Sequence, residues 1–427
     1  MRTFLIIWLG QFVSLLGSEM TNFAISIWAW EVTGQATPFS LILVATKIPR
    51  LLISPFAGVW VDRFNRKYLM VLGDLVAGLS TIVLLILVLS DQLQVWHLYL
   101  SGAVNGLFGY IQNLAYSASV SLLVPEKHYT RAAAFEAALT SGSFIVAPAA
   151  AGVMYAATGL RGILAIDLVT FAIAITTLSL VTIPHPALSD ARPDADTAIQ
   201  RLTFGARYLW RHPGLKSLLC FFLISNFIDG LCFTILFPMV LSRLDNNTSI
   251  LGTLSSFFGI GGLIGGSILS VWGGPKRRIH GVLMGNTLWK ITLIVLGLAQ
   301  RTQTYLGTAL IGGLFAPLSG SCGSAIWRSK VEPGIQGRVF AARYLITQLS
   351  TTLGAALSGL LADGIFEPAM QPGEPLAQIL GNIFGVGAGA GMAVQVALFA
   401  ICGVLVALGA YGFKRLRRIE ESDSLPA

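Results

Sequence analysis

Charged residues are scarce in this sequence, and their scarcity excludes an ordinary soluble protein. Only 11% of the 427 residues are Asp, Glu, Lys or Arg, whereas soluble domains contain about 25%. The length alone would otherwise suggest two or three soluble domains. The formal net charge of +8 does not indicate a nucleic-acid-binding protein either. The basic residues lie in short segments between apolar runs, where they orient a membrane chain.

Cysteine and histidine are also rare. The four cysteines lie within apolar runs and lack the spacing of metal ligands, so we predict neither disulfides nor a metal site. The five histidines lie in loops or at the ends of apolar runs, which argues against a histidine proton relay. The sequence contains no pattern of a nucleophile with its base and no nucleotide-binding loop. We therefore predict no cofactor, and an enzyme is the least favoured class.

What the sequence has instead is a series of apolar runs, each about 20 residues long. Because backbone polar groups cannot stay unpaired in lipid, such runs must be helices. The twelve runs cover residues 4–30, 38–60, 68–90, 95–124, 132–158, 162–183, 215–241, 250–272, 281–299, 305–327, 339–365 and 388–413. The predicted fold is an all-α polytopic membrane protein with twelve transmembrane helices in two pseudo-symmetric six-helix bundles.

A polar segment at residues 184–213 divides the twelve runs into two sets of six. We predict an N-terminal bundle at 1–183, a cytoplasmic linker at 184–213, a C-terminal bundle at 214–413 and a cytoplasmic tail at 414–427. Residues 197–210 of the linker alternate apolar and basic side chains as an interfacial amphipathic helix does. Residues 366–387 are rich in Gly and Pro and predict a long outer loop.

The basic residues fix the orientation, because most of them fall on one side of the predicted spans. By the positive-inside rule both termini and the central linker are cytoplasmic. No cleavable signal peptide is expected, since the first apolar run is too long for one. We predict a monomeric multi-pass protein in the lipid bilayer of a bacterial cytoplasmic membrane.

The loop after the second run carries charges at fixed spacing. It reads G-x-x-x-D-R-x-x-R-K, and the fixed positions are filled by Gly58, Asp62, Arg63, Arg66 and Lys67. Positive-inside charges alone would explain the basic residues but not the glycine and aspartate. The pattern resembles the loop signature of the major facilitator superfamily.

Other segments narrow the resemblance to the bacterial macrolide-efflux and enterobactin-exporter group of that superfamily. They are the sequence WLGQFVS at residues 8–14, LLVPE at 122–126 and Ala-Ile-Asp at 165–167. The resemblance implies proton-driven export of amphipathic small molecules by alternating access. It also implies a cytoplasmic gate, in which we expect Asp62 to meet the helix start near Arg338. Arg63, Arg66 and Lys67 would hold the cytoplasmic face closed.

Four ionisable residues lie well inside predicted spans, namely Glu19, Lys47, Arg50 and Asp229. Such side chains are costly in a bilayer, so their default interpretation is functional. Lys47 and Arg50 share a helix face, and their depth predicts an ion pair of one of them with Glu19. Two roles stay open: Glu19 and Asp229 titrate in a central cavity as protons cross, or Glu19 belongs to a permanent structural pair.

Three further ionisable residues, Asp74, Asp167 and Lys290, are interpreted as less informative. Most residues of this kind lie near a span end, where long side chains reach the headgroups. The weaker candidates for lining a substrate cavity are polar or aromatic residues within the spans: Gln11, Asn22, Phe23, Asn105, Asn226 and Phe227.

Two features concern the antiporter branch of the superfamily. Pro148, flanked by small residues, predicts a helix kink and resembles the branch's Gly-Pro motif, with Ala147 in place of glycine. Many proton antiporters of the superfamily carry an arginine in the fourth span, yet none lies between His97 and Arg131. This departure either removes proton coupling or moves it to Glu19, Lys47 and Arg50.

The predicted function is therefore secondary active export of a drug-type or siderophore-type molecule. An importer or uniporter of a small metabolite on the same fold is the alternative, because the direction of transport depends on coupling. A membrane sensor without transport activity is the less favoured third possibility.

Overall fold

The computed structural model describes residues 2–181 and 198–421. This part of the chain is helical and contains no β-strand. Residues 182–197, which hold the first part of the predicted linker, and residues 422–427 of the predicted tail lie outside the described residues.

The helices follow the apolar runs. Before the linker they are α1 (Arg2–Thr33), α2 (Ala36–Arg63), α3 (Arg66–Leu89), α4 (Val95–Leu123) and α5 (Tyr129–Ser179). After it they are α6 (Ala198–Arg211), α7 (Pro213–Arg243), α8 (Thr248–Trp272), α9 (Arg278–Leu298), α10 (Thr302–Lys330), α11 (Gln336–Leu361), α12 (Glu367–Ala369), α13 (Pro375–Phe384), α14 (Ala390–Ala410) and α15 (Lys414–Arg417).

Ten of the described helical segments are long and apolar enough to cross a membrane. One of them, α5, has 51 residues and is broken at Gly159, whose φ of 62° is left-handed. Glycine adopts this conformation without steric cost, so α5 supplies two spans. The less apolar α4 has 29 residues, and about 20 suffice to cross a bilayer. The chain is thus an all-α multi-pass membrane protein, as predicted.

The described chain divides into two compact units. The first consists of Met1–Gly34, Leu41–Ala195 and Thr248–Ser256. In this unit α1 packs along α5, and α3 packs against α4 and α5. Its core contains fully buried apolar side chains from several helices, among them Phe4, Ile7 and Met70.

The second unit consists of Gln35–Ser40, Asp196–Asn247 and Phe257–Ala427. Here α7 packs against α11 and α14, and α9 packs against α10 and α14. The crossing of α7 and α11 is close, since a Cβ at Gly230 would lie 2.3 Å from the Thr351 carbonyl oxygen. Small residues permit such approach between membrane helices. The crossing holds the middle of α7 against its neighbours.

Large apolar side chains are also exposed along most spans, including Leu72, Val153 and Leu405. In a soluble protein such exposure would be unfavourable, but lipid tails are as apolar as leucine. The exposed faces therefore fit a lipid environment.

The prediction of a long loop at residues 366–387 is wrong, because the segment contains the helices α12 and α13. Pro375 begins α13, a position that proline favours. Leu376, Leu380 and Phe384 follow at helical spacing and pack on a small core around Met370. The prediction weighed Gly and Pro content and missed this apolar periodicity.

Candidate functional site

A buried ion pair joins two spans of the second unit. Asp229 lies near the middle of α7, and its Oδ1 accepts a hydrogen bond from Lys290 Nζ of α9 at 2.5 Å. The Lys290 side chain is 0% exposed, whereas that of Asp229 is 24% exposed. Lys290 Nζ also donates to the Ser225 carbonyl oxygen at 3.2 Å. Both hydrogen-bond acceptors of the lysine thus lie on α7, and the aspartate keeps one open side.

The tryptophan beside Lys290 binds the same carboxylate. Trp289 Nε1 donates to Asp229 Oδ1 at 2.7 Å. The indole packs on Phe233 and Phe258, with ring centroids 6.0 and 5.8 Å away. Such aromatic contacts fix the orientation of a ring. The indole N–H is therefore set in place toward the carboxylate.

The open side of Asp229 faces a cavity of about 200 Å³. The cavity is lined from three helices by Phe222, Asn226, Asp229, Gly285, Asn286, Trp289, Ala316, Ser319 and Gly320. Asn286 Nδ2 donates to Ser225 Oγ at 2.6 Å, but its Oδ1 is buried with no hydrogen-bond partner in the described part of the chain. The cavity therefore offers a carboxylate and an aromatic wall, and the Asn286 amide is part of its lining.

The sequence pointed to part of this site. Asp229 and Asn226 were candidates and both line the cavity, whereas Phe227 does not line it. Lys290 was interpreted as less informative, but the structure places it fully buried near the middle of α9, in the ion pair with Asp229. Its position in the run at 281–299 already placed it as deep as Asp229. The pairing itself joins helices far apart in sequence and had no local signal.

The ionisable candidates of the first unit are arranged differently. Glu19 and Arg50 are exposed and Lys47 is partly buried. The ion pair expected between Glu19 and Lys47 or Arg50 is not formed among the described residues. The Arg50 guanidinium instead lies 5.1 Å from the centre of the Tyr110 ring. This is a cation–π distance.

Among the carboxylates of the first unit whose side chains are described, Asp74 is the most buried, with 2% of the residue exposed. Gln112 Nε2 donates to its Oδ1 at 2.5 Å, and Gln11 Nε2 donates to its Oδ2 at 3.2 Å. The two amides also bond to each other at 3.2 Å. Gln11, a candidate for the substrate cavity, is thus a partner of Asp74. The interpretation of Asp74 as uninformative missed this network, which Gln112 within an apolar run could have indicated.

The remaining candidates for lining a substrate cavity, Asn105, Asn22 and Phe23, lie on helices of the first unit. Asn105 Nδ2 lies 3.3 Å from Ser80 Oγ and 3.4 Å from Ser101 Oγ, which connects α4 to α3. Asn22 is exposed on α1 and Phe23 is partly buried.

Two basic residues of the loop motif form hydrogen bonds within the first unit. Arg66 donates to the Ala118 carbonyl oxygen at 2.6 Å, and Lys67 donates to the Val181 carbonyl oxygen at 2.6 Å. Both carbonyls lie near helix C-termini, where cations are favoured. Asn65 caps α3 through its Oδ1, which accepts from the Lys67 N–H. The motif residues thus tie the start of α3 to the ends of α4 and α5.

The other gate candidates are less informative. Gly58 and Arg63 are exposed near the end of α2, and the side chain of Asp62 lies outside the described residues. Arg338 on α11 has its guanidinium 5.6 Å from the Phe204 ring centre on α6.

Pro148 lies inside α5, where this helix meets the first turns of α8 in the same unit. A Cβ at Gly252 would lie 2.3 Å from the Pro148 carbonyl oxygen, and one at Gly152 would lie 2.5 Å from the Thr248 carbonyl oxygen. Thr248 Oγ1 donates to the Gly152 carbonyl oxygen at 2.9 Å. The region around the proline is therefore a close helix crossing that requires glycine on both sides.

Comparison with known proteins agrees with this architecture. The chain matches the Major Facilitator Superfamily over residues 7–281. It is 31% identical to "Macrolide efflux protein A" of Streptococcus pyogenes over 85% of this chain and 90% of that protein. It is 22% identical to "Multidrug efflux pump Tap" of Mycolicibacterium fortuitum over 82% of this chain and 88% of that protein.

Solved structures share the fold at low identity. The nucleoside transporter NupG has a TM-score of 0.71 at 14% identity and covers 96% of this chain and 99% of its own. A bacterial homologue of the human lysosomal transporter Spinster has a TM-score of 0.69 at 14% identity and covers 100% and 99%. The superfamily consists of transporters and not enzymes. With its helical spans, its loop motif and these similarities, the chain belongs to the Major Facilitator Superfamily.

Proposed function

We propose that this protein is a secondary active exporter of amphipathic small molecules, driven by protons through alternating access. The observation that carries the proposal is the cavity at Asp229, Trp289 and Asn286. Ligand sites are mostly apolar with a few placed polar groups, and this cavity combines an aromatic wall with a carboxylate and an amide.

The size of the cavity sets what it can hold. Its volume of about 200 Å³ is below the roughly 300–1,000 Å³ of sites for drug-sized ligands. It therefore takes one polar or cationic end of a substrate, and the rest of the molecule lies outside it. The open side of Asp229 is where a cationic group would be attracted.

The direction of transport is supported by the relatives. Both similar proteins named above are called efflux proteins, and the first aligns over 85% of this chain. That likeness supports a substrate of macrolide type. The importer alternative has no comparable support.

The membrane arrangement belongs to the same proposal. The basic residues of the loops and tail support a cytoplasmic location of both termini in a bacterial cell. The protein acts as a monomer with bundles at 1–183 and 214–413, a linker at 184–213 and a tail at 414–427. Glu19, Lys47 and Arg50 line the transport route on the exposed faces of α1 and α2, and the loop motif forms the cytoplasmic gate.

Uptake of labelled erythromycin into inside-out vesicles with an acidic interior tests the proposal. We expect accumulation that collapses when the pH gradient is dissipated. The variant Trp289→Phe keeps the ring but loses the hydrogen bond to Asp229, so we expect weaker uptake at low drug concentration. Trp272→Phe is the matched control, because Trp272 is 57% exposed at the end of α8.

Three results would count against the proposal. Uptake that does not depend on the pH gradient would contradict proton coupling. Drug movement only out of the inside-out vesicles would favour the importer. No transport of erythromycin or any other lipophilic drug would favour the sensor.

A further inference from the structure

A second buried carboxylate of the first unit lies in a cage of hydroxyl groups. Asp167, on the second half of α5, is 6% exposed. Thr81 Oγ1 of α3 donates to its Oδ2 at 2.9 Å, and Ser18 Oγ of α1 donates to its Oδ1 at 3.4 Å. Thr21, 7% exposed, lies beside the same carboxylate. We call Ser18, Thr21 and Thr81 the hydroxyl cage.

The cage is built by close helix packing. Ser18 and Thr21 are three residues apart on α1 and share one face. A Cβ at Gly17 would lie 2.8 Å from Asp167 Oδ1 and 2.1 Å from Thr170 Oγ1. The glycine therefore lets α5 bring its carboxylate against the hydroxyls of α1. Within the described part of the chain, the oxygen of Thr21 has no hydrogen bond of good geometry, so it is free to accept one.

Asp167 has no cationic partner in the described part of the chain. Besides Arg2 at the first position of α1, the charged and titratable groups of the three packed helices are Glu19 and Glu31 on α1, Arg66, Lys67, Tyr68 and Asp74 on α3, and Tyr129, Arg131, Glu136, Tyr155 and Arg161 on α5. Glu19, next to Ser18 on α1, is an acid, and Arg161 lies six residues before Asp167 on α5. Arg161 pairs with Asp91 at 2.9 Å.

The partners of a carboxylate decide which protonation states it can adopt. A hydroxyl both donates and accepts hydrogen bonds, so the cage can bond the ionised and the neutral form of Asp167. A lysine ammonium and an indole N–H only donate, so Lys290 and Trp289 suit the ionised form of Asp229 alone. At Asp74 the bond between Gln11 and Gln112 keeps both amide NH₂ groups toward the carboxylate.

We propose that Asp167 is a proton-binding site of the first unit, which takes up and releases the coupling proton. The proton binds a carboxylate oxygen, and one cage hydroxyl turns from donor to acceptor to receive the new O–H. On release the hydroxyl turns back, and the proton leaves to water when the site opens. Protonation neutralises the buried charge of Asp167, and it requires only the rotation of a hydroxyl group. The helices around the cage therefore need not rearrange. The coupling role rests on the proposed function, whereas proton binding does not.

Infrared difference spectroscopy on the purified full-length protein in lipid vesicles tests proton binding without a substrate. We expect a C=O stretch of a protonated carboxylic acid that titrates as the pH is stepped, and that Asp167→Asn removes. The matched control Asp91→Asn makes the same change at an exposed loop carboxylate and should leave the band. A band unchanged in Asp167→Asn overturns the proposal. So does a band that disappears when K⁺ is replaced by Na⁺ at fixed pH, since the ligand is then a metal cation.

Thr81→Val supplies a second test if Asp167→Asn does not fold. The variant keeps the shape of the side chain and removes one cage hydroxyl, so we expect a shifted titration midpoint for the Asp167 band. A midpoint equal to that of the wild type contradicts the role of the cage.

Transport separates this proposal from the function on which its coupling role rests. Asp167→Asn should lose erythromycin accumulation driven by a pH gradient but keep exchange of labelled for unlabelled drug at equal pH. Gradient-driven accumulation in Asp167→Asn overturns the assignment while the exporter stands. Failure of the wild type to accumulate drug overturns the exporter, and the infrared result still decides whether Asp167 binds a proton.

Discussion

Asp229 and Lys290 form an ion pair but differ in exposure to solvent. This difference should determine how much stability the protein loses when either residue is replaced. Lys290 is fully enclosed, whereas the Asp229 side chain is 24% exposed and also bonds to Trp289. Loss of the aspartate would leave a buried cation with one carbonyl oxygen as its partner. Loss of the lysine would leave a partly solvated anion with one good donor. The two losses should therefore differ in cost.

Stability measurements on three variants test this inequality. Removal of one partner of a buried pair costs about 3–5 kcal/mol, whereas replacement of both by apolar residues is often neutral. We expect Asp229→Leu to lower the melting temperature most, Lys290→Met to lower it less, and the double variant to recover most of the loss. The measurement is heat-induced loss of the monodisperse peak in size-exclusion chromatography. Equal losses in the single variants, or additive losses in the double variant, would contradict this account.

At the scale of elements, the start of α9 lacks a capping side chain of its own. The residue before it, Arg277, makes no side-chain cap, whereas Asn65 caps the corresponding start of α3. The tail supplies the missing acceptor. Glu420 Oε1 accepts from the Arg278 N–H and its Oε2 accepts from the Ile279 N–H, both at 3.1 Å. Buried Leu416 and Ile419 hold this part of the tail on the second unit.

Glu420→Ala tests the contribution of the tail. Loss of a cap costs about 1 kcal/mol, and a carboxylate is also favoured at the positive N-terminus of a helix. We expect faster hydrogen–deuterium exchange in the first turn of α9 and little change elsewhere. Glu421→Ala is the control, since Glu421 forms a surface ion pair with Arg277 at 3.0 Å, and such pairs contribute little. Equal exchange in the two variants would show that Glu420 does not cap the helix.

The membrane spans could be predicted from the sequence. The ends of the helices and the contacts between them were harder to predict. The apolar runs located the helices because lipid demands internal hydrogen bonding. The break at Gly159 was visible as the gap between two runs. The start of α13 was missed because proline opens a helix as readily as it ends one. The cap from Glu420 depends on a tertiary contact and leaves no local pattern.

Across the whole molecule, the sequence located intramembrane charge but not its partners. Glu19 and Asp229 were identified by depth alone, yet only Asp229 proved to have a buried cation. The partners of Asp74 and Asp167 are amides and hydroxyls, which no charge count reveals. Pairings across α1, α3 and α5 depend on helix packing, and helix packing in a membrane is set by small residues whose role is not apparent in one sequence.

The orientation of the chain is the property that follows most directly from its loops, and one experiment can test it at four of them. In a background with the four cysteines replaced, single cysteines at Gln92, Lys127, Asn247 and Lys276 sample loops at alternate ends of the spans; all four positions are exposed. By the positive-inside rule, we expect an impermeant maleimide to label Gln92→Cys and Asn247→Cys in intact cells. Lys127→Cys and Lys276→Cys should be labelled only after permeabilisation. The reverse pattern would place both termini outside, and a pattern in which the two units disagree would contradict an even number of spans before the linker.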